Sequence, residues 1–271
     1  MLHNVRLTTM SDPKHIQNGY NKISGTYDRR YEINPLNGVA EALHGLIAEI
    51  NARRVLEIGC GTGHWLKILA PRVDRIIGLD SSSGMLRQAS GLPWPIELVC
   101  GSADFPPFAR NSFDLIFVVN ALHHFNDKQR FFEKARRLLR RGGALAAIGL
   151  DVPSAIGHWV IYDYFPGALE YDQSRFPLWE DVWTWMSAAG LAVRPLRAVE
   201  HISYEKRGRA ILDDHFIQRH GASHFMGLTE EQYQAGIDSI KVAIAEAEAR
   251  GEEAVFTSDF HLKMAVGYSQ I

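Results

Sequence analysis

The order of hydrophobic and polar residues along the chain changes character near residue 53. Before that point apolar residues recur at helical spacing, which predicts one helix from about Asp12 to Tyr31 and a second from about Pro35 to Ile50. After it, short and almost wholly apolar runs alternate with helical patterns. Apolar runs of that kind are typical of strands covered on both faces, so the alternation indicates βαβ units and a parallel sheet.

Five strands and three helices are predicted in this central part of the chain. The strands are Val55–Ile58, Ile76–Leu79, Ile96–Val99, Phe113–Val119 and Ala144–Leu150. The helices are Trp65–Ala70, Gly84–Ser90 and Lys128–Leu139. Helices that alternate with parallel strands cover both faces of the sheet, so the fold class is α/β with three layers.

The texture of the sequence changes again after residue 150. Residues 151–177 are dense in aromatic residues, glycine and proline. Beyond them the predicted elements are helices at Trp179–Ala189, Arg209–His220 and Thr229–Arg250 and strands at Leu191–Tyr204 and Phe256–Tyr268. These two strands can still pair antiparallel, with the helices between them as an insertion.

Composition narrows the class of protein. The 271 residues are 46% hydrophobic and 22% charged, with a formal net charge of -2 and only two cysteines, Cys60 and Cys100. These values are ordinary for a globular protein, without the basic excess typical of nucleic-acid binding or the cysteine content of a disulfide framework. No apolar run approaches the roughly 20 residues that span a bilayer, and no signal peptide is recognised. We expect a cytoplasmic protein without nucleic-acid partners or membrane insertion. The sequence does not indicate an oligomeric state.

Three glycines at alternate positions, Gly59, Gly61 and Gly63, follow the first strand directly. Missing side chains let a ligand contact the backbone at the carboxyl ends of the strands, where open parallel sheets bind ligands. The dinucleotide-binding fingerprint places its third glycine one residue later, where this chain has His64. The spacing therefore disfavours an NAD(P)-dependent oxidoreductase.

Polar residues also end the next three strands. Asp80 ends the second strand, where an acid can accept hydrogen bonds from both ribose hydroxyls of an adenosine. Asp104 follows the third strand, where a carboxylate can accept a hydrogen bond from an exocyclic amine, and Asn120 ends the fourth. Simpler roles remain open, since Asp80 can cap the helix after it and Asp104 can be a turn residue.

Five motifs carry a family resemblance. They are VLEIGCGTG, GLDSSSGML, GSADFPPF, FDLIFVVNALHHF and LLRRGGALAAI, in this order within residues 20–150. With them the chain resembles class I S-adenosylmethionine (SAM)-dependent methyltransferases, especially the small-molecule group that includes the ubiquinone and menaquinone C-methyltransferases. The resemblance implies a Rossmann-like sandwich with a seven-stranded, mostly parallel sheet, an antiparallel last strand, N-terminal helices and a helical insertion before that strand.

The resemblance also implies how a single domain is organised and which residues hold the cofactor. Residues 12–51 would form a cap, 53–150 the SAM-binding core, and 151–271 a substrate-side half with lids at 151–177 and 209–250. Glu57 would border the methionine part of SAM, or else be a structural acid. The other cofactor residues implied are Tyr20, Tyr27, Gly59, Cys60, Gly61, Gly63, Asp80, Ser81, Met85, Ala103, Asp104 and Asn120.

Methyl transfer from SAM needs little catalytic machinery. The methyl group on a sulfonium is already activated, so proximity and orientation carry most of the reduction in the barrier. A base helps when the acceptor is an alcohol, a phenol or a carbon acid. His123 and His124, just after the fourth strand, are candidate bases; alternatively they are helix-entry residues common in this family.

The acceptor site is expected in the second half of the chain. In similar enzymes the connection after the fifth strand builds the acceptor pocket, and here that stretch contains His158, Trp159, Tyr162 and Tyr164. The alternative is that these side chains form a core beneath the inserted helices. His215, His220 and His224 fit no strong metal motif, so no metal is expected.

The expected function is transfer of a methyl group from SAM to a small molecule, with S-adenosylhomocysteine as the product. A noncatalytic SAM-binding regulatory module is the main alternative, and an NAD(P)-dependent oxidoreductase is a weaker one.

Overall fold

The computed structural model of the protein describes residues 19–21, 23–154, 157–221 and 223–270. Its strands are β1 Arg54–Ile58, β2 Arg75–Asp80, β3 Glu97–Cys100, β4 Phe113–Val119, β5 Leu139–Leu150, β6 Gly157–Trp159, β7 Leu191–Val193, β8 Arg197–Arg207 and β9 Val255–Ser269. They form one sheet in the order β3-β2-β1-β4-β5-β9-β6, with β7 and β8 also paired to β9. The strands β1 to β5 are parallel, and β9 runs antiparallel to β5.

The nine strands occupy seven positions across the sheet. Met264 of β9 pairs with Ile148 of β5 on one edge and with Arg197 of β8 on the other. In the same way Ser258 pairs with β6 on the first edge and with β8 on the second. Thus β6 continues the line of β5, and β7 and β8 share one position. The predicted seven-stranded, mostly parallel sheet with an antiparallel last strand is confirmed.

Helices cover both faces of this sheet. They are α1 Arg29–Ile33, α2 Asn37–Glu49, α3 His64–Leu69, α4 Ser83–Ala89, α5 Lys128–Leu138, α6 Val160–Tyr164, α7 Ala168–Arg175, α8 Trp179–Ala188 and α9 Glu230–Ala249. Side chains alternate along each strand, so Val55 packs with α2 and α3 while Leu56 packs with α5 and α8. A buried cluster lies on each face of the sheet. The sheet and the helices on its two faces are the three layers predicted from the sequence.

A third buried cluster lies in the second half of the chain. There Ile161 and Phe165 pack with Phe225, Ile240 and Phe256. The longest helix, α9, begins at the capping box of Thr229 and Gln232 and buries one stripe of its surface in this cluster. Among the helices that the structure describes, none is long and apolar enough to cross a membrane. The proposed lid role of residues 151–177 and 209–250 stays a prediction.

Two predicted helices are wrong in their extent. Residues 12–18 lie outside the described residues, and the helical residues after them give way to a turn at 24–28 before α1 begins. In that turn Ser24 and Thr26 donate hydrogen bonds from their hydroxyls to backbone carbonyls three residues back, at 3.2 and 3.3 Å. Side-chain bonds of this kind compete with a continuous helix.

The segment predicted as a helix at Arg209–His220 forms short 3-10 turns instead, at Gly208–Asp213 and His215–Ile217. Asp214 has extended backbone between them, and its carboxylate accepts a hydrogen bond from the N–H of Phe216 at 2.7 Å. The helix is therefore interrupted by a local turn that aspartate favours.

Candidate functional site

Each glycine of the loop after β1 has a positive φ, 76° at Gly59, 53° at Gly61 and 81° at Gly63. A Cβ atom on Gly59 would lie 2.5 Å from Cβ of Ala121, and one on Gly63 would lie 2.7 Å from Leu92. A Cβ on Gly61 would meet only a ring carbon of Tyr27, at 4.0 Å. Backbone conformation requires all three glycines, close packing requires two of them, and Gly61 leaves room for a ligand.

Asp80 ties this loop to the end of β2. One of its carboxylate oxygens accepts a hydrogen bond from the N–H of Gly61 and the other from the N–H of Ser82, both at 2.8 Å. Burial raises the pKa of Asp80, and these two amides oppose the change. Ser82 is the N-cap of α4 and accepts from the N–H of Met85, so Asp80 is not the cap.

Glu57 is 1% exposed and lies one residue before the end of β1. Its Oε2 atom has no hydrogen-bond partner in the part of the chain that the structure describes. Burial raises the pKa of this carboxyl well above its usual value, and the nearby charge of Asp80 raises it further. Because an unpaired buried carboxylate is costly, the site suits a cationic or hydrogen-bond-donating group of a ligand.

The loop, the strand ends and the N-terminal segment enclose a first cavity of about 440 Å³. That volume lies within the range of small-molecule sites. The predicted cofactor residues that line it are Tyr20, Tyr27, Glu57, Gly59, Cys60, Gly61, Asp80, Ser81, Met85, Ala103, Asp104 and Asn120. The remaining one, Gly63, precedes α3 as its N-cap residue and supports the loop from outside the lining.

Asn120 and Asp104 show how the strand ends are held. Asn120 has φ of 50°, a conformation that asparagine tolerates better than most residues, and its N–H donates to the carbonyl of Ile148 at 2.9 Å. The carboxylate of Asp104 accepts from Asn126 at 2.8 Å. Asn126 also lines the first cavity, and sequence reasoning did not identify it as a site residue.

Other contributions come from residues far apart in the chain. The side chain of Asn21 accepts hydrogen bonds from the hydroxyl of Ser82 and the N–H of Gly84, both at 2.8 Å. The hydroxyl of Thr62 donates to Asp28. These contacts attach the N-terminal segment over the first cavity. No local pattern could have revealed them, because the partners are separated by 34 to 63 residues.

A second cavity of about 490 Å³ adjoins the first. The two have four lining residues in common, Tyr20, Tyr27, Tyr31 and Asn120. Much of the remaining wall is aromatic: it includes Trp159, Phe176, Tyr204, Phe216 and Phe260, together with His123 and His224.

Of the four predicted substrate residues, only Trp159 lines this second cavity. His158 precedes it on β6 and so faces the other side of the sheet, where it pairs with Asp163 at 3.2 Å. The hydroxyl of Tyr162 donates to buried Asp172, and Tyr164 packs against Phe256. The structure thus places His158, Tyr162 and Tyr164 outside the lining, in surface and core contacts.

The two candidate bases lie against different cavities. His124 lines the first, and its Nε2 is 2.7 Å from the hydroxyl oxygen of Tyr20. His123 lines the second and stacks on Phe176 at 4.0 Å between ring centroids. Burial lowers the pKa of both imidazoles well below the usual value, so both are neutral near pH 7.

Parts of the chain are similar in sequence or fold to known proteins. Residues 56–147 match the methyltransferase domain family. The demethylmenaquinone methyltransferase of Thermotoga maritima is 38% identical over 112 residues, which cover 40% of this chain and 48% of that protein. The demethylmenaquinone methyltransferase of Lactococcus lactis is 24% identical over 246 residues, covering 83% and 94%. The crystal structure of the YcgJ protein of Bacillus subtilis has the same fold, with a TM-score of 0.56 at 21% identity, covering 84% and 99%.

Residues 56–147 are a class I SAM-dependent methyltransferase domain. It is similar to the quinone methyltransferases, as the five sequence motifs indicated. For the first curated relatives, the chain spans about half of their length or less.

The residues of this methyltransferase domain fit its cofactor. SAM carries a positively charged α-amine, two ribose hydroxyls and an adenine ring. The unpaired Oε2 of Glu57 suits the amine, the carboxylate of Asp80 suits the hydroxyls, and the open backbone at Gly61 allows close approach. Asp80 accepts the N–H groups of Gly61 and Ser82 on different oxygens, and the backbone of Ser81 also bonds to it. A carboxylate has about four lone-pair sites, so it can still accept a hydrogen bond from a ligand.

Proposed function

We propose that the protein transfers a methyl group from SAM to a small-molecule acceptor held in the second cavity. The observation that carries this proposal is the shared wall of the two cavities at Tyr20, Tyr27, Tyr31 and Asn120. A cofactor in the first cavity and an acceptor in the second would meet there. Small-molecule specificity is also favoured by the names of the demethylmenaquinone methyltransferase relatives.

In this proposal each group of the first cavity has a binding role. Glu57 and Asn120 hold the methionine amine, Asp80 holds the ribose, and Ser81 and Met85 lie beside the ribose and adenine. Ala103 and Asp104 contact the adenine amine. Bound SAM supplies a methyl group activated by its sulfonium, and the chain provides orientation and excludes water. Tyr20 and Tyr27 lie over the junction of the cavities and serve that exclusion.

Isothermal titration calorimetry tests the cofactor site. We expect SAM and S-adenosylhomocysteine to bind with micromolar affinity. Asp80→Ala should weaken both at least 10-fold, because hydrogen bonds to charged groups contribute about 1.5–3 kcal/mol. Asp238→Ala, at an exposed acid on α9, is the matched control and should bind SAM like the wild type. Absence of SAM binding, or equal affinity in Asp80→Ala, would contradict the proposed site.

The alternatives are separated by simple measurements. A thermal shift with NAD but not with SAM would indicate an oxidoreductase, and SAM binding without turnover of any acceptor would indicate a regulatory module. Neither alternative is favoured by an observation in the described residues. Four expectations from the sequence stay predictions: no nucleic-acid partner, no membrane insertion, no metal, and a cytoplasmic location.

A further inference from the structure

A buried carboxylate lies beside the second cavity. Asp172 of α7 is 0% exposed. It accepts hydrogen bonds from the guanidinium of Arg175, at 2.6 and 3.0 Å, and from the hydroxyl of Tyr162 at 2.8 Å. Its fourth contact is with Nδ1 of His224. Burial alone would raise the pKa of Asp172, but His224 and Arg175 outweigh it and the net direction is down. The carboxylate is therefore ionised near pH 7.

His224 lies between this carboxylate and the cavity. It is 6% exposed, lines the second cavity, and packs edge-on against Trp159 at 4.2 Å between ring centroids. Asp172 accepts only if Nδ1 carries the proton, so the contact selects that tautomer. The lone pair of the neutral ring is then on Nε2, the second ring nitrogen of a side chain that lines the second cavity.

The groups around His224 favour an imidazole that is neutral before it accepts a proton. Burial lowers its pKa, and Asp172 opposes that change. Arg175 also lowers the pKa but is itself paired with Asp172. A proton gained on Nε2 would place an imidazolium beside an ionised carboxylate, which stabilises it. The ionisable groups that act on His224 from neighbouring elements are Arg30, His123, His124, Tyr162, Asp172 and Arg175.

The histidines after β4 lack this arrangement. Nε2 of His123 and Nδ1 of His124 are buried without a partner among the described side chains and backbone groups. Neither histidine has a carboxylate within ion-pairing distance in that part of the chain. A proton gained by His123 would meet no carboxylate, and the charge of Asp172 acts on His124 against the opposing charges of Arg175 and His224. Only His224 bonds to Asp172 directly, which makes the other two rings poorer bases.

We propose that His224, oriented by Asp172, is the general base that removes the proton from a hydroxyl group of an aromatic acceptor. The inference rests on the proposed function and names the acceptor class for the same site. The flat side chains of Trp159 and Phe176 favour an aromatic ring. The hydroxyl proton moves to Nε2 of His224, and the acceptor oxygen bonds to the methyl carbon. The bond from that carbon to sulfur breaks with both electrons on sulfur, and His224 later returns its proton to solvent.

The test uses the full chain, SAM, and a panel of phenols, amines and thiols, with S-adenosylhomocysteine release as the readout. We expect turnover of phenols. His224→Asn retains an N–H donor toward Asp172 but has no equivalent of Nε2. For the best phenol it should lower kcat at least 100-fold, as loss of a general base does, with little change in KM or in SAM affinity. His220→Asn, at an exposed histidine four residues earlier, is the matched control and should keep the wild-type rate.

The pH profile separates a base from a structural residue. In the wild type, kcat should fall on the acid side as His224 gains a proton, and in His224→Asn it should instead rise steadily with pH. Retained SAM affinity shows that the variant is folded, and His224→Gln is a second variant if it is not. Wild-type rate and profile in the variant, or turnover of amines and thiols but no phenol, would overturn the inference while the proposed function stands. Failure of the wild-type protein to bind SAM would overturn both this inference and the proposed function.

Discussion

The two cavities lie side by side, yet their walls come from the chain in different ways. The first takes most of its lining from four strand ends, and each end belongs to a short motif of consecutive residues. The second draws on the N-terminal segment, β6, β8, the turns after β8 and β9. A cofactor common to many enzymes can be held by backbone and a few polar groups. An acceptor requires a wall assembled from distant side chains, and such a wall leaves little trace in local sequence.

The energetics of the two regions differ in the same way. The first depends on glycines, whose contribution is space and backbone conformation. The second depends on a buried ionic group, Asp172, with three partners from α6, α7 and the turn that contains His224. Loss of one carboxylate should therefore disturb the second region more than loss of one glycine disturbs the first.

Asp172→Ala should produce the largest effect on stability. It leaves the guanidinium of Arg175, which is 9% exposed, without a counter-ion and the hydroxyl of Tyr162 without an acceptor. Breaking a buried pair in this way costs about 3–5 kcal/mol of unfolding free energy. Urea unfolding measures the loss, with Asp163→Ala as control, since that exposed pair with His158 should contribute under about 1 kcal/mol. Equal effects of the two substitutions would show that the network does not stabilise the second region.

Gly63→Ala should have the next largest effect. A methyl group there would lie 2.7 Å from Leu92 and 3.2 Å from Ala89, on a backbone with φ of 81°. Strain and overpacking together should cost about 2–4 kcal/mol of unfolding free energy. Gly142→Ala is a close control, because φ is 75° and no atom lies within 4 Å of the added methyl. It isolates the conformational cost, about 1–2 kcal/mol. If both variants lose the same stability, close packing at Gly63 contributes nothing.

The regular part of the fold could be predicted because its signal is local. The strand Phe113–Val119 was predicted with its observed bounds, since both faces are buried and the run is apolar except for Asp114. The predicted strand Leu191–Tyr204 is instead divided into β7 and β8. Pro195 lies in the gap, and proline cannot donate to a ladder, so this signal was present in the sequence.

The residues of the candidate site also differ in whether a local signal in the sequence identifies them. Glu57, Asp80 and Asn120 could be found because each lies in or at the end of a strand in a motif of its own. His224 could not be found, because its meaning depends on Asp172, 52 residues earlier in the chain. An isolated histidine among turns gives no indication of a buried carboxylate partner. Contacts of this kind follow from tertiary packing alone.

Acid stability gives the most selective comparison of the two regions. Burial lowers the pKa of His64, which stacks on Tyr31 at the edge of the first region, to about 4. Since the pKa in the unfolded chain is higher, about 6.5, the unfolded state gains a proton first as the pH falls. Stability from neutral His64 is thus complete above pH 6.5 and is lost progressively toward pH 4. Each proton accounts for at most about 1.4 kcal/mol per pH unit.

His64→Phe keeps the stacked ring and removes the titration, so urea unfolding at several pH values should show a shallower decline between pH 6.5 and 4. At pH 8 the variant should match the wild type within about 1 kcal/mol, because the two rings are similar in size and both are uncharged. The decline that remains would come from His123, His124, His215 and His224, whose pKa values are also lowered by burial. An unchanged slope in His64→Phe would assign the acid sensitivity wholly to that second group, on the acceptor side of the molecule.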